Sequence, residues 1–128
     1  MLEGIRSRVA ARGLKDRIKL PGLTREVWKA LVAMDVFMLT SRLEGLPNVL
    51  IEAQCMGLPV VTTGHGGMTE TYVEGKTGLT ARPDSATGLA EAVVRLLKDD
   101  ELRRTMSSAS REHAIRHFSN EAMLAATH

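Results

Sequence analysis

The chain has 128 residues, 44% of them hydrophobic and 25% charged, and its 17 basic and 15 acidic side chains leave a net charge of +2. That balance excludes a disordered polymer, and no apolar run reaches the roughly 20 residues that a bilayer crossing needs. No basic cluster is interleaved with aromatics, so nucleic acid is not an expected partner, and the length suits one core and one domain over residues 1–128.

Short apolar runs alternate with amphipathic windows, the pattern of an α/β fold: a Rossmann-like parallel sheet, here of about four strands, with flanking helices. A first helix is expected over Leu2 to Ala11, ending near Gly13. Its Glu3, Arg6, Arg8 and Arg12 stand where a secretion signal would be apolar, which points to a cytoplasmic location. Ile18 to Leu20, ahead of Pro21-Gly22, reads as a short edge-type strand. Thr24 is the expected N-cap of a helix running to Met34, with Val27, Leu31 and Met34 on one face. Val36 to Leu39 is an unbroken apolar run and reads as a strand buried on both faces.

Pro47 suits the first turn of the next helix, because that position needs no backbone donor, and Gly57 is its expected stop. Cys55, the single cysteine, lies in this apolar stretch and reads as a core thiol; no internal disulfide and no cysteine-based zinc site can form. A strand over Val60 to Thr63 runs into the glycine-rich loop Gly64 to Gly67. Gly75 and Gly78 bracket a turn before a last short strand, Leu79 to Ala81. Asp84 or Ser85 caps a helix with Leu89, Val93, Leu96 and Leu97 at helical spacing. A final helix carries Leu102, Met106 and Ala109 on one stripe and Arg103, Arg104 and Arg111 on a solvated face. Phe118 before Ser119 opens one more helix, stapled by Phe118 and Met123 and cut short at His128.

Two loops follow strands at the sheet edge where open α/β folds bind ligands. The first, Ser41 to Asn48, leads into a helix whose free amides at Asn48, Val49 and Leu50 favour an anion such as a phosphate. Glu44 and Glu52 flank that position, and carboxylates there suit sugar hydroxyls. On spacing alone they read first as two solvated acids, since glutamates recur by chance at every interval. The second loop, Gly64 to Glu70, either closes over the same ligand or merely turns the chain. As a dinucleotide fingerprint it is incomplete, because Thr69 replaces the third glycine. His65-Gly66-Gly67 is similar to an esterase oxyanion loop, but no Gly-x-Ser-x-Gly elbow accompanies it.

Several motifs in order resemble the retaining GT-B glycosyltransferases of group 1, family 4 type, which include sucrose, trehalose and lipopolysaccharide glycosyl transferases. They are Arg17 to Gly22, Asp35 to Ser41, Glu44-Gly45-Leu46-Pro47-Asn48-Val49-Leu50-Ile51-Glu52-Ala53, Gly57-Leu58-Pro59-Val60-Val61, Gly66-Gly67 with Glu70, and Gly75-Lys76-Thr77-Gly78-Leu79. The resemblance covers nearly the whole chain. It implies a donor-binding domain for a nucleotide-diphosphate sugar, with no metal and no cofactor. In it Glu44 contacts the sugar hydroxyls as the catalytic-site acid and Glu52 holds the ribose. Backbone amides from Gly45 to Val49 (Gly45, Leu46, Asn48 and Val49 among them) face the diphosphate, Gly66 and Gly67 let their loop approach, and Glu70 braces that loop. His65 has no fixed role in it.

The same resemblance implies that an N-terminal acceptor domain and the first two strands of this domain, with a basic Arg and Lys pair, are missing. Those strands would lie between Ile18 to Leu20 and Val36 to Leu39. The gap has three outcomes: the two strands become neighbours, a partner chain fills it, or Ile18 to Leu20 never joins the sheet and two edges stay open. The expected partners are a nucleotide sugar, and either a separate N-terminal domain or a second copy joined through the open edges. A non-catalytic nucleotide-sugar-binding module and an inactive fragment are the alternative readings.

Overall fold

A computed structural model of the chain describes residues 2–19, 26–40, 48–64, 68–82 and 85–127, and within them not the side chains of Leu2, Val27 or 119–127. Helix α1 spans Leu2–Ala11. Gly13 stops it at φ 68°, a left-handed setting that glycine adopts freely. The Leu14 and Gly13 N–H groups then return to the carbonyls of Val9 (3.0 Å) and Ala10 (3.1 Å), closing the last turn.

The strand expected at Ile18 to Leu20 does not form over Ile18 and Lys19; Leu20 lies outside the described residues. The Arg17 and Ile18 N–H groups both bond to the Leu14 carbonyl at 2.9 Å, so a local turn takes the donors that a sheet would need, and Ile18 is left 41% exposed. Helix α2, Val27–Val32, starts after Glu26 and stops short of Met34. The expected cap, Thr24, is outside the described residues, and the Glu26 side chain does not cap the helix. Of the expected stripe Leu31 reaches the core, while Met34 is exposed.

Strand β1, Phe37–Leu39, is not buried on both faces: its Met38 is 49% exposed, and among the described residues β1 pairs with β2 alone. Helix α3, Asn48–Cys55, ends in a second left-handed glycine, Gly57. Strand β2, Val60–Thr62, is buried throughout. A 3-10 turn, Met68–Glu70, precedes β3, Gly78–Thr80. The three strands are parallel in the order β1-β2-β3, with Phe37 opposite Val60 and Val60 opposite Gly78. The sheet thus has three described strands, in the parallel α/β arrangement expected.

Alternating side chains of β2 divide the core. Val60 joins Leu31, Leu50, Ala53, Leu58, Met68 and Tyr72 on one face, whereas Val61 joins Leu96 and Met106 on the other. Helix α4, Ala86–Lys98, is capped by Ser85, whose Oγ accepts the Gly88 N–H at 2.9 Å. Leu96 is its fully buried residue, and Leu97, expected on the same stripe, is 50% exposed because it has turned past the packed face. The helical run α5, Asp100–Thr127, is capped by Asp99 through the Leu102 N–H at 3.0 Å and broken at Phe118 (φ −130°, ψ 15°), where a new helix was expected. Arg103 departs from the solvated face predicted for it: its guanidinium donates to the Leu96 and Leu97 carbonyls at 3.1 and 3.2 Å, capping the end of α4, and pairs with Asp100 at 2.8 Å. Arg104 and Arg111 are exposed as expected.

Candidate functional site

Parallel pairing of β1 with β2 forces α3, which connects them, to run back against the strands. The amino end of α3 therefore stands at the sheet's carboxyl rim, the side on which Thr40, Thr63 and Ala81 follow the three strands. The sequence builds this helix from an inward set, Leu50, Ile51, Ala53 and Gln54, all buried. Asn48 on the first turn is exposed, Val49 is half-buried, and Glu52, one turn behind Asn48, is half-buried. This rim thus combines first-turn amides that have no acceptor within the helix, an arrangement that favours an anion, with a carboxylate that accepts hydroxyl hydrogens.

Of the expected site residues, Asn48, Val49 and Glu52 are brought together on α3. Glu44, Gly45, Leu46, Gly66 and Gly67, together with Pro47 and His65, lie outside the described residues. Glu70 is exposed on the 3-10 turn. Cys55 is half-buried rather than fully in the core, and burial first, then the neighbouring Glu52 charge, pushes its thiol above the ordinary range.

Sequence reasoning passed over the polar side chains that brace the rim. Thr62, wholly buried in the central strand, accepts the Gly64 N–H at 3.1 Å and shares a hydrogen bond with the Tyr72 hydroxyl at 2.7 Å. Tyr72 is in turn hydrogen-bonded to the Thr80 hydroxyl on β3. Thr80 N–H donates to both Glu74 carboxylate oxygens, at 3.0 and 3.1 Å. This chain fastens the backbone at Gly64, where φ is 75°, to the ends of two strands. The available signal was hydroxyls placed in a strand that otherwise reads as core.

A groove of about 440 Å³ lined by Asp35, Gly57, Arg103, Arg104 and Ser107 opens at the opposite rim, where β1 and β2 begin. It contains none of the expected site residues. Among the described residues no group of three or more His, Cys, Asp or Glu could hold a metal, and no helix is long and apolar enough to cross a membrane.

The profile of the family Glycosyl transferases group 1 matches residues 1–113. This chain belongs to that glycosyltransferase family. N-acetyl-alpha-D-glucosaminyl L-malate synthase of Bacillus anthracis is 33% identical over 111 residues, 87% of this chain and 29% of that protein. The glycosyltransferase fold seen here matches GT-B structures. Sucrose-phosphate synthase of Thermosynechococcus elongatus superposes with a TM-score of 0.83 at 29% identity, over 98% of this chain and 32% of that one. Anabaena HepE, solved in complex with UDP, superposes at 0.86 with 24% identity, over 98% of this chain and 35% of that one. This glycosyltransferase chain spans between 16% and 33% of the length of the first curated relatives it matches.

Proposed function

We propose that this chain binds the donor of a retaining, family 4 type glycosyltransferase: a nucleotide-diphosphate sugar whose bond between the anomeric carbon and the diphosphate oxygen is exchanged for one to an acceptor hydroxyl. The observation that carries this reading is the exposed amino end of α3 at the sheet's carboxyl rim, with Glu52 one turn behind it. Amides from Gly45 to Val49 hold the departing diphosphate and offset its charge, which is where such a reaction needs help most. Glu52 accepts the ribose hydroxyls, Glu44 the sugar hydroxyls, and Gly66 and Gly67 let backbone approach the donor. No metal or cofactor takes part. The acceptor is held by a further N-terminal domain, in the same polypeptide or a separate one, and the whole works in the cytoplasm. The UDP complex of HepE supports the choice of ligand class.

Calorimetric titration of the purified chain with UDP, GDP and their glucose and mannose forms tests this. Glu52→Ala is expected to weaken the nucleoside diphosphate itself by about tenfold, the worth of one lost charge-assisted hydrogen bond. Glu44→Ala mainly removes the advantage of the sugar-bearing form. Equal losses from both variants, or no binding by the wild type, would overturn the assignment.

A further inference from the structure

Gln54 is a polar side chain on the buried face of α3, 0% exposed beside the core residues Leu50 and Ala53. Its Nε2 donates twice, to the Leu50 carbonyl at 3.1 Å and to the Thr71 carbonyl at 2.8 Å. Both acceptors are carbonyl oxygens, so the amide is held in one orientation; turned over, it would set oxygen against oxygen. Its Oε1 is buried with no partner among the described residues. An amide with half its capacity unused is a poor choice for packing, since an apolar side chain of the same length would fill the space with no polar atom to desolvate.

What Gln54 does that methionine could not is reach Thr71. The Thr71 carbonyl also faces His113 Nε2 on α5 at 3.2 Å, and the Thr71 hydroxyl donates to the Met68 carbonyl at 2.7 Å. Thr71 is therefore a junction where α3, the 3-10 turn and α5 meet. Helix α3 has eight residues, too few to keep its own setting in water, so its place depends on such ties.

We propose that Gln54 is a positioning residue for donor binding: by tying α3 to the Thr71 junction it sets the depth and rotation at which that helix presents Asn48, Val49 and Glu52 to a nucleoside diphosphate. This rests on the donor-site reading above. Side chains that grip a ligand must be held to a fraction of an ångström, and a rotation of α3 carries Glu52 off its target even though Gln54 touches no ligand.

Gln54→Met keeps the length of the side chain and removes both donors. Titrated with UDP and GDP beside the wild type, it is expected to stay folded, with a thermal midpoint within a few degrees, and to bind the preferred diphosphate about tenfold more weakly. In a Glu52→Ala background the same change should cost less than it does in the wild type, because only the α3 amides at Asn48 and Val49 are then left to be misplaced. A merely structural Gln54 gives unchanged affinity in the folded variant, or losses that simply add, and either result overturns the proposal. Should Gln54→Met fail to fold, His113→Leu loosens the junction from the α5 side, and unchanged affinity there overturns it equally. Failure of the wild-type chain to bind any nucleotide removes the donor-site reading itself, and the positioning role falls with it; normal wild-type binding with normal Gln54→Met binding removes the positioning role alone.

Discussion

Gly78 and Val60 are register partners on adjacent strands, and a Cβ built on Gly78 would lie 2.7 Å from Val60 Cγ2 and 2.9 Å from the Val60 carbonyl oxygen. Tyr72 Cδ2 would be 2.8 Å away on another side. One of these neighbours is backbone of the central strand, so relief requires β3 to move. Gly78→Ala is expected to destabilise the chain by about 2 kcal/mol, the usual cost of overfilling a packed site. For a domain of this size that lowers the thermal midpoint by about 8 °C. Calorimetric scans of both proteins check it; an unshifted midpoint would mean that β3 is free to slide.

Tyr72 joins Thr62 and Thr80 across the sheet's carboxyl rim. Tyr72→Phe keeps the ring and removes the shared hydroxyl, leaving the buried Thr62 hydroxyl one partner short. The expected loss is about 1–2 kcal/mol by denaturant unfolding. Because Thr62 also accepts the Gly64 N–H, exchange of that amide with solvent should quicken by more than that of amides in α4. Uniform acceleration across the chain would instead place the effect in global stability.

His113 predicts how stability depends on pH. Its pKa in the folded chain lies below the ordinary 6.5, first because burial disfavours the charged ring and then because His117 adds like charge; the Thr71 carbonyl pulls the other way. The two rings stand 4.6 Å apart, and Phe118 meets His113 edge-on at 5.8 Å. Well above pH 6.5 the ring is neutral both folded and unfolded and adds no pH dependence. As pH falls through 6.5 the unfolded chain takes up the proton first, so stability declines until the folded ring is protonated too, where the loss levels off. Thermal midpoints at pH 7.5 and 5.5 should therefore differ less in His113→Gln than in the wild type. An equal or greater difference in the variant would contradict the sign.

Where the signal was local, the sequence was sufficient to read the fold. Gly13 and Gly57 as helix stops, Ser85 as a cap and the apolar run of β2 each act within a few residues, and each stands where it was expected. Ile18 and Met38 misled because strand membership and burial depend on what lies alongside, and in one chain that neighbour is distant in sequence. At the site, the order strand, loop, helix was enough to bring Asn48, Val49 and Glu52 to the carboxyl rim, since parallel topology leaves the helix no other direction. The bracing was not legible. Gln54 meets Thr71 across 17 residues and His113 meets Thr71 across 42, and no periodicity links a buried amide to a carbonyl that far away.

Cys55 offers a reporter on Glu52. It lies three residues further along α3, half-buried, with its thiol pKa raised by burial and, second, by the Glu52 carboxylate. Iodoacetamide reacts with the thiolate, so alkylation at pH 8 should be slower than that of a free cysteine in a short peptide. Glu52→Gln removes the second cause and leaves the first. The rate is then expected to rise yet stay below the peptide's, because a neutral amide keeps the side chain's size while no longer opposing a second negative charge one turn away. If the rate in Glu52→Gln matched the wild type, the carboxylate would have to point away from Cys55. That side of α3 would then no longer constrain where the acid sits, and the proposed grip on the ribose would rest on the rim geometry alone.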